Sequence, residues 1–87
     1  MAPRARGITK SVHSPGHVAF CELMIKARKA AGLTQDDLAK RLKRPQSFVA
    51  KYEGGERRID VVEFLAVTQA IGADPVRILR VLKKLRS

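Results

Sequence analysis

The sequence of this 87-residue chain predicts an all-α fold of five short helices. Apolar residues recur at intervals of three and four, as they do along one face of a helix with 3.6 residues per turn. Capping residues precede these runs, and glycine or proline separates them. No stretch shows the alternation of apolar and polar residues that a half-buried strand requires. A chain of this length forms one small domain with little room for an enclosed catalytic cavity.

Residues 1–16 are predicted to be a flexible basic arm, followed by a single domain over residues 17–87. The segment contains two prolines and two glycines, and it has basic but no acidic side chains. It shows no apolar period, which argues against a helix. Such an arm suits phosphate groups, and a tail without a partner is the alternative.

The composition restricts the class of protein. The net charge is +10, so the chain is expected to bind a polyanion. No apolar run approaches the roughly 20 residues that span a bilayer, so no membrane partner is expected. Cys21 is the single cysteine, which excludes an internal disulfide and predicts a reducing, cytoplasmic compartment.

The first helix is predicted between His17 and Ala31. Its apolar stripe includes Phe20, Met24 and Ala27, and Gly32 suits the position just after a helix. Cys21 is interpreted as a small, partly buried apolar residue rather than a nucleophile.

The second helix is predicted to begin after Thr34, an N-cap residue that Asp37 completes as a capping box. Its inward side chains are Leu38 and Leu42. It ends near Leu42 because Arg44 precedes a proline and is therefore biased away from helical geometry.

The third helix is predicted to begin with Pro45 at its first position and to end at Gly54 and Gly55. Advancing 100° per residue separates two faces. The inward face comprises Phe48, Val49 and Tyr52. The outward face is polar or small and free of acidic residues: Gln46, Ser47, Ala50 and Lys51.

The fourth and fifth helices are predicted to begin at an Asp60–Glu63 capping box and an Asp74–Pro75 pair. The fourth is apolar on two sides, and the fifth has a wide apolar arc. This apolar surface exceeds what one small core can cover, which predicts a homodimer. The alternative is a monomer in which the fifth helix packs across the second apolar side of the fourth. The expected dimer-interface residues are Val62, Leu65, Ala66, Val81 and Leu85.

No catalytic or metal site is indicated. His13 and His17 are four residues apart but have no acidic third ligand. The serines and Cys21 have no histidine–acid arrangement beside them. The protein is therefore expected not to be an enzyme and to need no cofactor or metal.

Two stretches carry a family resemblance. "GLTQDDLAKRL", followed by "PQSFVAKYEGGERR", resembles the lambda-repressor-like, Cro/C1-type (XRE) family of helix-turn-helix proteins. The resemblance covers about residues 20–82 and implies the five-helix fold of that family. It implies binding to double-stranded DNA, with the third helix in the major groove.

The resemblance also implies roles for individual residues. The predicted base contacts are Gln46, Ser47, Ala50 and Lys51. The predicted contacts to the DNA backbone are Gln35, Gly54, Gly55 and Arg57, to which we add Lys43, Arg44 and Arg58. Arg28 and Glu53 match a structural ion pair. The chain departs from the family pattern at Lys43, where glycine is usual, and at Ile59, where proline is frequent.

The sequence thus predicts a nucleoid-associated transcriptional regulator, specifically a repressor that binds a palindromic operator as a dimer. Two alternatives remain open at this point. One is an antitoxin that represses its own operon and binds a toxin. The other is an adaptor module whose basic face binds acidic protein or RNA.

Overall fold

Five helices make up the described part of the chain, residues 14–85 of a computed structural model. They are α1 (Pro15–Ala30), α2 (Gln35–Leu42), α3 (Gln46–Glu53), α4 (Val61–Ile71) and α5 (Pro75–Leu85). Residues 14–85 contain no strand. The prediction of an all-α, five-helix fold is therefore confirmed. Residues 1–13, which make up most of the predicted arm, lie outside the described residues.

Helix α1 begins two residues earlier than predicted. Ser14 is its N-cap, and the Ser14 hydroxyl accepts a hydrogen bond from the His17 N–H at 3.2 Å. Pro15 occupies the first helical position. A backbone N–H there would have no partner within the helix, so proline costs no hydrogen bond. Pro15 and Gly16 therefore belong to α1, because the Ser-Pro cap outweighs the weak helix propensity of these two residues.

The start of α3 also differs from prediction. Pro45 is the N-cap, with φ −63° and ψ 150°, and the helix begins at Gln46. The cap position requires an extended ψ, which proline adopts readily. The Phe48 N–H donates to the Pro45 carbonyl at 2.9 Å and closes the first turn.

The two predicted capping boxes are present. The Asp37 N–H donates to the Thr34 hydroxyl at 3.0 Å, and the Thr34 N–H donates to the Asp37 carboxylate at 2.9 Å. Asp60 and Glu63 make the same reciprocal pair at the start of α4, at 2.7 and 3.0 Å. Each box satisfies two N–H groups that would otherwise lack partners at a helix start.

The core lies where α2, α3 and α4 meet α1. Phe20 of α1 contacts Phe64 of α4, with ring centroids 5.7 Å apart. Burial of a large apolar side chain contributes about 1.5–3 kcal/mol. The fully buried side chains of the core are Met24, Leu38, Val49, Tyr52 and Val67.

Helix α5 buries a smaller part of its apolar arc against the core than its sequence predicts. Ile78 is buried, whereas Leu79, on the same predicted apolar arc, is 49% exposed. Within residues 14–85, α5 packs against α1 and α4, and the flank of its arc that contains Leu79 remains exposed.

Cys21 is buried, as a small apolar residue would be. Its thiol donates to the Tyr52 carbonyl at 3.3 Å, and burial raises its pKa. Residues 14–85 contain no helix long and apolar enough to cross a membrane. That part of the chain also has no cluster of three or more potential metal-ligating His, Cys, Asp or Glu side chains.

Candidate DNA-binding surface

A tight turn joins α2 to α3. Lys43 adopts a left-handed conformation, with φ 58° and ψ 41°. The Lys43 N–H donates to the Lys40 carbonyl at 3.2 Å, and the Arg44 N–H donates to the Ala39 carbonyl at 3.0 Å. These two bonds form a Schellman motif, in which the left-handed residue after the helix is usually glycine. The turn therefore keeps the left-handed geometry although lysine replaces glycine.

Helix α3 presents one polar face to solvent. Gln46, Ser47 and Lys51 are exposed and Ala50 is half-buried, whereas Phe48, Val49 and Tyr52 on the opposite side are buried. No acidic side chain of α3 lies on the exposed face, because Glu53 is only 6% exposed. The structure thus brings the four predicted base-contact residues together on an accessible, acid-free surface.

A chain of hydrogen bonds links this face to the interior. Arg28 Nε and Nη2 donate to the two oxygens of Glu53 at 2.8 and 3.1 Å. Glu53 Oε1 also accepts from Gln35 Nε2 at 2.9 Å. Gln46 Nε2 in turn donates to Gln35 Oε1 at 2.9 Å. The network therefore joins α1, α2 and both ends of α3.

The Arg28–Glu53 pair at the base of this network is buried. Arg28 is 8% exposed and Glu53 6%. Arg28 Nη1 donates in addition to the Leu33 carbonyl at 2.8 Å. The hydrogen bond to Glu53 raises the pKa of Arg28, so the guanidinium stays charged. The structure thus places the two residues of the predicted ion pair in bidentate contact.

Arg44 and Arg57 meet at a second cluster beside α3. Their guanidinium carbons lie 4.1 and 4.9 Å from the centroid of the Phe48 ring. Arg57 donates to both oxygens of Glu63 at 3.2 and 3.0 Å, and Arg44 Nη2 donates to Glu63 Oε2 at 3.3 Å. Hydrogen bonds from Arg57 and from the Asp60 N–H lower the pKa of Glu63 from 4.5 to about 2. Sequence reasoning missed both Phe48 and Glu63 at this site, since their patterns indicated only a core residue and a helix cap.

Gly54 and Gly55 differ from their predicted role in one respect. Their N–H groups donate to the Ala50 and Tyr52 carbonyls at 2.9 and 3.3 Å. A backbone contact through these glycines would need the same N–H groups, but the end of α3 already uses them. Gly55 has φ +80°, which glycine adopts without strain. A side chain at Gly54 would place its Cβ 3.1 Å from the Ala50 carbonyl oxygen.

Apolar side chains are exposed on α4 and α5. All five predicted dimer-interface residues are exposed. Val81 and Leu85 border grooves beside α1. Val62, Leu65 and Ala66 lie on the opposite side of α4 from its buried residues. The prediction omitted three further exposed apolar residues, Val61, Val76 and Leu79.

Comparison with known proteins places this geometry in a family. A helix-turn-helix domain model matches residues 26–81. An XRE-family like protein from Pseudomonas syringae pv. tomato is 46% identical, with a TM-score of 0.81 over 92% of this chain and 98% of that one. The restriction-modification controller protein C.AhdI from Aeromonas hydrophila is 29% identical, with a TM-score of 0.66 over 71% of this chain and 94% of that one. No curated protein is significantly similar to the chain.

The turn, the exposed face of α3 and the matching family model define a DNA-binding helix-turn-helix protein of the class that regulates transcription. The chain belongs to the XRE family of these proteins. The family resemblance seen in the sequence is thereby confirmed. The XRE-type helix-turn-helix fold is a fold of DNA-binding regulators, which are generally not enzymes.

Proposed function

We propose that the protein is a sequence-specific, double-stranded DNA-binding repressor that acts as a dimer on a palindromic operator and performs no catalysis. The observation that supports this most strongly is the exposed, acid-free face of α3, which a buried ion pair anchors to the rest of the fold. An α-helix fits the major groove, whose base edges distinguish all four base pairs. The expected location is the nucleoid in the cytoplasm.

Base recognition would come from the outward face of α3. The amide of Gln46 can pair bidentately with adenine, and Lys51 can donate to guanine acceptors. Ala50 is small, so it allows the helix to approach the bases closely and can contact a thymine methyl group. Ser47 supplies a short hydroxyl that donates or accepts.

Contacts to the phosphate backbone would border that face. Gln35 lies at one edge, where its amide is held by Glu53 and Gln46. The other predicted backbone contacts surround the ends of α3: Lys43, Arg44, Gly54, Gly55, Arg57 and Arg58. We assign Gly54 a steric role, since a side chain there would crowd the helix end, and Gly55 a conformational role, since its φ is +80°. Binding should weaken with salt, with a slope of about −0.9 per phosphate neutralised.

Dimer formation would cover the apolar strip on α4. Val62 is 75% exposed and Leu65 is 48% exposed. Val76 and Leu79 are also exposed, on the flank of α5 that the 100° spacing turns away from α1. A two-fold contact there would bury the strip and present two α3 helices to successive major grooves, about 34 Å apart.

Selection of binding sites from random DNA duplexes tests the proposal. We expect a two-fold symmetric consensus whose half-sites are separated by about one helical turn. A reporter promoter that carries this consensus should be transcribed less in vitro when the protein is present. Recovery of no preferred duplex, or an affinity independent of salt, would show that specific DNA binding is not the function.

A further inference from the structure

Glu63 is an acidic residue at the edge of the proposed DNA surface, where a negative charge should repel phosphates. Its carboxylate nevertheless accepts hydrogen bonds from two of the proposed backbone contacts, Arg44 and Arg57. Both arginines donate an Nη2 hydrogen bond to the same oxygen, Oε2. The two guanidinium groups therefore converge on a single atom.

Phe48 supplies the second support for these arginines. Both guanidinium groups lie within 4.9 Å of its ring centroid, and the ring is 8% exposed. Stacking on a ring leaves the N–H groups in the plane of the guanidinium free to donate elsewhere. A guanidinium has five donors, of which Arg44 uses only one on Glu63. The arginines are thus oriented while part of their donor capacity remains available.

The cluster lies across α3 from Gln35. The exposed face of α3 has two flanks. By the 100° spacing Phe48 lies on one of them, and Gln46, which is hydrogen-bonded to Gln35, lies on the other. A helix in the major groove has a phosphate strand on each side. The Arg44–Glu63–Arg57 cluster is therefore placed to meet the strand on the side opposite to Gln35.

We propose that Glu63 is a positioning residue for DNA binding, which holds Arg44 and Arg57 as a two-guanidinium clamp for one phosphate strand. The inference rests on the proposed function. Arginines held in this way have already lost the rotamer freedom that unattached side chains lose on binding. The negative charge of Glu63 is unfavourable beside DNA phosphates, but it holds two arginines in position before DNA binds.

Glu63→Gln tests the clamp, with Glu56→Gln as the matched control. Gln at residue 63 can still cap the Asp60 N–H, so α4 keeps its capping box. Both substitutions remove one negative charge near Arg57, but Glu56 is not part of the cluster. Loss of charge alone should strengthen DNA binding in both variants. The clamp predicts that Glu63→Gln instead weakens binding to the consensus duplex, by about threefold to tenfold.

A second comparison separates positioning from a general effect on the fold. In an Arg57→Ala background, the loss of DNA affinity caused by Glu63→Gln should be at most half as large, because one of the two guanidinium groups that Glu63 positions is absent. Glu63→Gln binding as tightly as Glu56→Gln would overturn the clamp. An effect that persists in full without Arg57 would overturn it as well.

The wild-type protein distinguishes failure of the clamp from failure of the proposed function. If wild type selects a preferred duplex and only the Glu63 comparison fails, the clamp is wrong and the function stands. If wild type selects no duplex, the proposed function and the clamp both fall. Thermal unfolding of each variant must show that it is folded at the temperature of the binding measurement.

Discussion

Gln46 Nε2 donates a hydrogen bond to Gln35 Oε1 over 2.9 Å, so the first residue of α3 is tied to the first residue of α2. The amide of Gln35 is itself held by Glu53 at 2.9 Å. A proposed base contact and a proposed phosphate contact are therefore parts of one hydrogen-bonded unit. Their effects on DNA binding should not be independent.

Gln35→Ala and Gln46→Ala are predicted to be non-additive in DNA affinity. Gln46→Ala should lose roughly 1–3 kcal/mol of discrimination at one or two base positions. Gln35→Ala should lower affinity and also relax specificity, because Gln46 loses its acceptor. The coupling from a double-mutant cycle should be about 0.5–3 kcal/mol. Strictly additive affinities, or an unchanged consensus for Gln46→Ala, Ser47→Ala and Lys51→Ala, would contradict the assignment.

Glu53→Ala is predicted to destabilise the fold severely. The substitution leaves the Arg28 guanidinium buried without its partner, which costs about 3–5 kcal/mol. Asp36→Asn is the control, since the Asp36–Lys40 pair is exposed and such pairs contribute about 0.5 kcal/mol or less. Urea unfolding measures both free energies. Equal losses for the two variants would show that burial of the Arg28–Glu53 pair has no energetic consequence.

Lys43→Gly is predicted to stabilise the protein. A left-handed conformation costs a non-glycine residue roughly 1–2 kcal/mol, and glycine removes that cost while the unfolded chain gains freedom. The expected net gain is about 0.5–1 kcal/mol in the free energy of unfolding. Lys43→Ala should give no such gain, because alanine keeps the Cβ atom that strains the turn. If the two variants proved equally stable, strain at this turn would be refuted.

The pKa of Glu63 predicts a dependence of stability on pH. Because the folded-state pKa is lowered to about 2, the carboxylate stabilises the folded state above its ordinary pKa of 4.5. That contribution is lost as the pH falls from 4.5 through about 2. Wild type should therefore lose more stability than Glu63→Gln over this interval, as measured by unfolding at each pH. Parallel curves for the two proteins would mean that Glu63 titrates normally.

Leu65→Asp is predicted to give a folded monomer that binds one half-site weakly. Leu65 is 48% exposed, so a charge there can be hydrated in the monomer but not within an apolar interface. Sedimentation equilibrium should show the wild-type dimer and the monomeric variant. Leu85→Asp tests the groove beside α1 in the same way. A wild type that stays monomeric at high micromolar concentration and protects only one half-site would exclude the dimer.

Much of the fold follows from local chemistry. Thr34 with Asp37, and Asp60 with Glu63, are predictable because a capping box needs only residues three apart. The inward positions of Phe48, Val49 and Tyr52 follow from helical periodicity alone. The first turn of α1 was not predicted, because Pro15 and Gly16 are weak helix formers and favoured a non-helical segment after the Ser14 cap.

The five helices and the outward face of α3 follow from neighbouring residues along the chain, and the basic charge follows from composition. The contacts between distant polar side chains, in contrast, depend on how the helices pack. Gln35 and Glu53 are 18 residues apart, and Arg44 and Glu63 are 19 apart. No periodicity connects such distant residues, because their contact depends on how α2, α3 and α4 pack. The tertiary structure also placed Val81 and Leu85 at grooves beside α1, whereas Val62, Leu65 and Ala66 are exposed on α4.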